Sequence, residues 1–404
     1  MTSPLCVRSE VGRLKKVLLH RPGRELENLM PEYLHRQLFD DIPYLVHAQE
    51  EHDSFAATLR ECGAEVLYLE DLLCQAVEAA GAQQELISEY VDEASIPAAG
   101  AAQAVKEYLS SLPLNQAVAA MMSGIRKSRI GKLPKRHLVD YTDEAYPFHA
   151  DPLPNLYFSR DPFSIVGGGV LLFRMANEVR RRETLFGKYI FKYHPLYGGV
   201  DTWYDRSDPF YMEGGDVEVL NPATLAIGLS QRTDPRAVEV AAKRLLSGDS
   251  GFERLLVIDI PKTRAFMHLD TVMTMVDVNK FMLHPNIRES IRLYSIVLRN
   301  GKLKFTEETR PMDQVFADYL DMDEVTLIEC GGGSVIDAAR EQWNDGANTL
   351  AVAPGEVITY SRNYVTNRIL RENGVTVHEI PSAELSRGRG GPRCMSMPFE
   401  REPV

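Results

Sequence analysis

Met212-Glu-Gly-Gly-Asp-Val-Glu-Val-Leu-Asn-Pro-Ala-Thr-Leu-Ala-Ile-Gly-Leu229 sets the pattern for the chain. A carboxylate, Glu213, stands before two glycines and leads through a turn into apolar strand-like runs. The same texture recurs in Arg160–Phe173 (RDPFSIVGGGVLLF), His268–Val276 (HLDTVMTMV) and Cys330–Arg340 (CGGGSVIDAAR), where a charged or nucleophilic residue again precedes a turn or strand. The marked positions Asp161, Glu213, His268 and Cys330, with Cys394 as a fifth, are separated by 52, 55, 62 and 64 residues. Two segments match more closely, Ala223-Thr-Leu-Ala-Ile227 and Asn348-Thr-Leu-Ala-Val352. Such spacing predicts a pseudo-symmetric array of ββαβ-like units around a central axis. That array would carry residues far apart in sequence to one place; an ordinary α/β sheet with unrelated turns would not.

Toward the N-terminus, Lys16 to His20 (KVLLH) reads as a strand, ended by the Pro22–Gly23 turn. Gln49 to Cys62 has helical spacing of Phe55, Leu59 and Cys62 and stops at Gly63; Glu65 to Leu69 is a second strand. From about Leu72 to Arg136 the composition shifts to Ala, Gln, Glu and Leu, strong helix formers, with breaks near Pro97, Pro113 and Pro134. The chain therefore divides into an α/β body, 1–71 and 137–404, and an all-helical insertion, 72–136.

The bulk composition narrows the function. With 404 residues, 44% hydrophobic and 25% charged, the chain is an ordinary soluble type, too long for one simple core. Its formal net charge of −12 opposes binding to nucleic-acid phosphates or anionic membrane, so neither is an expected partner. No apolar run of spanning length occurs, and Met1 to Lys16 lacks an apolar signal core. Five widely spaced cysteines, Cys6, Cys62, Cys74, Cys330 and Cys394, read as free thiols of a reducing, cytoplasmic compartment. No phosphate-loop, dinucleotide-fold, nucleophile-elbow or zinc motif is present, so no cofactor or metal is expected.

Three residue groups could carry chemistry. In His268-Leu269-Asp270, a strand would point imidazole and carboxylate to the same face; alone, such a triplet is more often a structural pair. Asp161 before Pro162 and Glu213 before Gly214 place carboxylates at constrained or open backbone, although each alone reads as a turn. Cys394 closes the electropositive loop Arg387-Gly-Arg-Gly-Gly-Pro-Arg393, company that suits a reactive thiol. Cys330 is the rival nucleophile; it ends an apolar strand and reads as structural.

Taken together and in order, RDP, MEGGDV, HLDTV, CGGG, EQWNDGANTLAVAPGEVITYSRN and RGRGGPRCMSMP resemble the arginine deiminases, in the guanidine-modifying enzyme superfamily, along nearly the whole chain. The resemblance implies a five-bladed α/β propeller with a helical insertion, no metal or cofactor, and a homodimer or homotetramer. It implies hydrolysis of free L-arginine to citrulline and ammonia through an amidino-cysteine intermediate. By that likeness Cys394 is the nucleophile and His268 the general acid/base. Asp161 and Asp270, with Glu213 as a third, grip the guanidinium. Asn155, Arg180, Arg232 and Arg389 bind the amino-acid end, and Phe158 packs along the stem. Met273 and Ser159 depart from the aromatic residue and threonine common in the family, which leaves the chemistry intact but puts packing near His268 in question. An amidinotransferase or methylarginine hydrolase would share the Cys–His–carboxylate set, and a non-catalytic arginine binder would have lost Cys394 or His268.

Overall fold

The two apolar runs of the opening stretch form strands Val217–Asn221 and Thr224–Leu229, paired antiparallel with Val217 opposite Ile227. The chain then crosses over through helix Pro235–Ser247 and returns as strand Arg254–Asp259, parallel to Thr224–Leu229. The helix starts where it does because the Asp234 side chain accepts from the Arg236 amide and Pro235 fills the first turn, where no N–H is needed. Ala237, Val238, Ala241, Ala242 and Leu245 form its buried stripe.

This plan of antiparallel pair, helix and parallel return recurs, and the structure, a computed structural model, describes it over residues 3–142, 145–263, 265–288 and 290–404. Strands Phe163–Val166 and Gly169–Leu172, helix Glu183–Tyr193 and strand Thr202–Tyr204 make one unit. Met273–Asp277, Lys280–Leu283, helix Met312–Leu320 and Thr326–Glu329 make another, followed by Leu350–Ala353, Glu356–Tyr360, helix Tyr364–Glu372 and Thr376–Ile380. In the remaining sheet, C-terminal strand Met397–Arg401 pairs antiparallel with Leu14–Leu19, which leads through helix Leu45–Glu61 to the parallel strand Glu65–Tyr68. Both ends of the described chain thus meet in one sheet.

The repeat expected from sequence needs two corrections. Cys330 is not an equivalent position: it follows strand Thr326–Glu329 at the end of a unit, whereas Asp161, Glu213, His268 and Cys394 each precede a unit's first strand. The residues in that place are Asp345 to Asn348, ahead of Leu350–Ala353. The interval is stretched by a hairpin, Arg292–Arg299 with Lys302–Glu308, which extends the edge of Arg254–Asp259, and by helix Val335–Trp343. The second correction concerns the matched pentapeptides. Thr224–Leu229 is the second strand of its unit and Leu350–Ala353 the first, so their likeness reflects shared strand composition rather than equivalence.

The helical segment begins at Leu69, directly after strand Glu65–Tyr68 and slightly ahead of the expected start. Helices Leu69–Ala80, Gln83–Glu93, Ala99–Ser110 and Leu114–Ser123 are interrupted around Pro97 and Pro113, where proline supplies no amide donor. Leu73, Leu86, Tyr90, Leu109 and Met121 share one apolar cluster with Phe163, Leu185 and Phe186. The helices are therefore fused to the body by a common core. Among the described residues no helix is long and apolar enough to cross a membrane.

Candidate active site

Turns leading into the first strands bring the marked residues together. Asn155, Phe158, Asp161, Arg180, Arg232, His268, Arg389 and Cys394 all line one narrow cleft, with Leu38, Met267, Thr271 and Gly388. Glu213 and Asp270 stand behind this lining and are fully buried.

His268 is set by its neighbours rather than by a strand. It precedes a single 3-10 turn, Leu269–Thr271, which corrects the strand expected for His268–Asp270. The cause is tertiary: Asp216 Oδ1 accepts from the Leu269 amide at 2.8 Å, while its other oxygen is held by Ser230 and Thr233 at 2.6 Å each. Gly215 permits this approach, since a Cβ there would lie 2.6 Å from His268 Nδ1. The imidazole Nε2 is 2.8 Å from Glu213 Oε2. Burial alone would lower the His268 pKa, but Asp161, Glu213 and Asp216 outweigh it and raise it to about 9. The ring is therefore an imidazolium at neutral pH.

Glu213, expected as the third carboxylate of the guanidinium site, is engaged by protein groups through both of its oxygens. Besides His268, it accepts from Arg232 Nη1 at 3.2 Å and from the Ala176 amide at 3.0 Å, contacts that hold His268 and Arg232 in place. Burial opposes its charge, yet Arg232, His268 and Arg180 bring its pKa down to about 2.

Asp161 and Asp270 each have one oxygen hydrogen-bonded to an arginine; the other oxygen of Asp161 faces His268 Nδ1 at 3.8 Å, beyond hydrogen-bond distance. Arg180 Nη1 donates to Asp161 Oδ2 at 2.7 Å, and Arg393 Nη1 to Asp270 Oδ2 at 2.9 Å. Asp161 Oδ1 and Asp270 Oδ1 are buried with no hydrogen-bond partner in the protein. Buried acceptors are rarely left so, which makes these two carboxylates candidates to accept from a bound ligand.

The thiol of Cys394 lies 3.6 Å from Asp270 Oδ2. Burial first, then the charges of Asp270, Asp161 and Asp345, push its pKa well above the ordinary thiol value. Cys330, by contrast, is fully buried in a separate apolar cluster, 3.3 Å from Thr366 Oγ1, and burial pushes it up to about 12. Nothing brings it to the cleft.

A model of the arginine deiminase family matches residues 35–401. Arginine deiminases of Streptococcus pneumoniae, from strain P1031 and from serotype 4, are each 50% identical over 405 residues, covering 99% of this chain and 99% of theirs. The chain belongs to the arginine deiminase family. Solved structures place the fold of this family member among mixed α/β enzymes of guanidino compounds. Dimethylarginine dimethylaminohydrolase from Pseudomonas aeruginosa, complexed with citrulline, superimposes with a TM-score of 0.54 at 16% identity, over 96% of this chain and all of that one. The product-bound N-terminal domain of ArgZ, an arginine dihydrolase from Cyanobacteria, gives 0.53 at 14% identity, over 96% and 97%.

Around the cleft stand residues that sequence reasoning passed over. Asn348 holds the turn that carries Cys394: its Oδ1 accepts from the amides of Arg393 and Cys394, both at 3.1 Å. Its Nδ2 reaches the Asp270 carbonyl at 2.9 Å and Cys394 Sγ at 3.2 Å. Gly391 makes room, because a Cβ there would lie 2.7 Å from Asn348. Arg393 is buried among Glu10, Asp270 and the Val217 carbonyl, so it is a structural counter-ion and not part of the loop's open charge. Asp345, also buried, has its pKa raised to about 7, chiefly by burial. The signal for Asn348 was its place before a first strand, obscured when Cys330 took that slot in the repeat.

The arginines expected at the amino-acid end differ in freedom. Arg180 is committed to Glu183 and Asp161, with Glu183 Oε2 at 2.8 Å from Nη2. Arg232 adds a contact to Met267 Sδ at 3.7 Å. Arg389 lies at the lip, stacked 3.6 Å over Trp343, 3.7 Å from Asp40, with its Nε unpartnered. Its φ of +65° is a left-handed conformation uncommon outside glycine.

Proposed function

We propose that the chain hydrolyses free L-arginine to L-citrulline and ammonia at this cleft, with Cys394 as nucleophile. The observation that carries the reading is the gathering of two carboxylates around the Cys394 thiol: Asp161 shares its cleft and Asp270 Oδ2 lies 3.6 Å from the sulfur, while Oδ1 of each has no hydrogen-bond partner in the protein. A guanidinium is a planar cation with N–H donors on its rim, and such carboxylate oxygens are its natural acceptors. Held by its edge, it leaves one face open to sulfur.

The thiol releases its proton to solvent as the cation binds, and the thiolate attacks the guanidinium carbon to give a tetrahedral adduct. The His268 imidazolium, steadied by Glu213, protonates the departing nitrogen; the C–N bond breaks and ammonia leaves. An amidino-cysteine remains. Neutral His268 then takes a proton from water as its oxygen attacks that carbon; as the adduct collapses the C–S bond breaks and the hydroxyl proton passes to the departing sulfur, returning the thiol, the imidazolium and citrulline. Arg180, Arg232, Arg389 and Asn155 supply the cationic and amide lining for the amino-acid end, and Phe158 flanks the alkyl stem.

The finer architecture belongs to the same reading. Five units of one plan form a five-bladed propeller, with 72–136 inserted as helices between blades, and the enzyme works in the cytoplasm as a dimer or tetramer. The deciding assay follows product release from L-arginine beside agmatine and dimethylarginine. One ammonia and one citrulline per L-arginine are expected. Dimethylamine release as the main activity would make the chain a methylarginine hydrolase, and a second ammonia per arginine would make it a dihydrolase. Sedimentation velocity checks the oligomer.

A further inference from the structure

Far along the fold from the cleft lining, three unlike donors converge at a half-exposed corner. Cys62 caps helix Leu45–Glu61, Glu356 opens strand Glu356–Tyr360, and His378 sits in the neighbouring parallel strand Thr376–Ile380. Ile358 pairs with His378, so Glu356 lies one diagonal step away, with side chains on the same face. His378 Nε2 and Glu356 Oε1 are 2.8 Å apart, and the donor atoms of all three residues lie within 4.8 Å of one another. The imidazole and carboxylate are 34% and 28% exposed, so an ion reaches them from solvent.

We propose that Cys62, Glu356 and His378 form a binding site for a divalent transition ion of the zinc type, apart from the catalytic centre. A thiolate, an imidazole and a carboxylate are the ligand set that zinc takes, with water completing a tetrahedron. Bond lengths of about 2.0–2.3 Å put such donors roughly 3–4 Å apart, so small side-chain movements close the set. Burial, with Glu356 and Glu61 nearby, pushes the Cys62 thiol up to about 11 despite Arg13. The carboxylates of Glu356 and Glu61, which resist thiol ionisation, would also attract a cation. Binding forms a metal–sulfur bond and releases the thiol proton, so affinity weakens as pH falls. The ion would join the end of helix Leu45–Glu61 to the sheet edge. From that helix Glu51 accepts from the amides of Glu384 and Leu385, at the root of the loop carrying Arg389 and Cys394, so the site braces the catalytic loop from outside.

Cobalt(II) titration of the full-length Cys394→Ser protein tests this, with the catalytic thiol removed so that it cannot contribute. A near-ultraviolet thiolate-to-cobalt charge-transfer band is expected, saturating at one ion per chain and competed away by zinc. Cys62→Ala should abolish the band and His378→Ala should weaken binding at least tenfold, while Cys74→Ala changes neither. In the wild-type protein, zinc should slow alkylation of Cys62 at least tenfold, read by peptide mass spectrometry. No charge-transfer band at millimolar cobalt, or a band that survives Cys62→Ala, overturns the proposal.

Discussion

The sharpest prediction concerns when Cys394 becomes a thiolate. In the ligand-free site the sulfur is buried and faces Asp270, Asp161 and Asp345, so its pKa lies well above the ordinary thiol value. His268 cannot offset this, because its charge is tied to Glu213 by the 2.8 Å contact and faces Asp161 at 3.8 Å. A bound guanidinium changes the balance. A unit positive charge about 4 Å from the sulfur contributes on the order of 4 kcal/mol at an effective dielectric near 20. That is roughly three pKa units, or about a thousandfold in thiolate fraction at neutral pH. The assay compares inactivation by two haloacetyl-type alkylating agents with the same leaving group. The neutral amide should react slowly near pH 7 and about tenfold faster per pH unit, without a plateau below pH 9. The cationic amidine, which fills the guanidinium place, should react about 10²- to 10³-fold faster at pH 7, and L-ornithine should protect less than L-arginine. A neutral-reagent profile with a midpoint well below pH 7 would refute the reasoning and require a pre-formed thiolate–imidazolium pair.

Three further outcomes bear on individual residues. Cys394→Ser should abolish turnover while Cys330→Ser retains most of it, and quenched wild-type enzyme should carry an amidino adduct on Cys394 by mass spectrometry; an adduct on Cys330 would reverse the assignment. Arg389→Ala should raise KM for L-arginine about 10- to 100-fold, the worth of a charge-assisted bond at about 1.5–3 kcal/mol, and should affect agmatine far less; equal losses would make Arg389 structural. Glu213→Gln should lower kcat and bring the His268 pKa down from about 9, because it removes one of the charges that hold it there; the imidazole NMR titration measures this, and an unmoved midpoint would show that Asp161 and Asp216 suffice.

How far the sequence revealed this arrangement depended on whether a residue's role was local. Glu213-Gly214-Gly215-Asp216 was legible because its glycines and carboxylates mark close approach in any context, and Gly215 does abut His268. Helix Pro235–Ser247 follows from an N-cap, a proline and one apolar stripe. The geometry of His268–Asp270 was not legible, because the turn is made by Asp216, which lies 53 residues away and accepts from Leu269. The surroundings of Glu213 were hidden for a related reason. Its contacts to His268, Arg232 and the Ala176 amide come from residues 55, 19 and 37 positions away. The third interval misled because an inserted hairpin and an extra helix lengthened it, and a cysteine then looked like the repeating residue.

The corrected repeat makes Asn348 the most exacting test of the site. It stands before its unit's first strand, as Asp161, Glu213, His268 and Cys394 stand before theirs, yet it has no charge and does not line the cleft. Its contribution is to fix the turn that aims the sulfur, through both faces of one amide. Asn348→Ala would leave the buried Arg393 and Cys394 amides without their acceptor, at about 1–3 kcal/mol for each unsatisfied group. Part of that cost appears as lost stability. The remainder appears as sulfur misplacement, which penalises attack more than substrate binding, since none of the cleft-lining residues is removed. The expected result is a kcat lower by about 10- to 1000-fold, with KM changed only a few-fold and a cooperative melt at a lower temperature. Asn348→Asp separates the two faces of the amide. It keeps the acceptor for the Arg393 and Cys394 amides, so the melt should recover. It replaces the donor to Cys394 Sγ by a further negative charge, so the thiol pKa should rise and turnover should stay low. If Asn348→Asp restored kcat along with stability, the contact to sulfur would have no part in catalysis, and Asn348 would be only a brace for the loop.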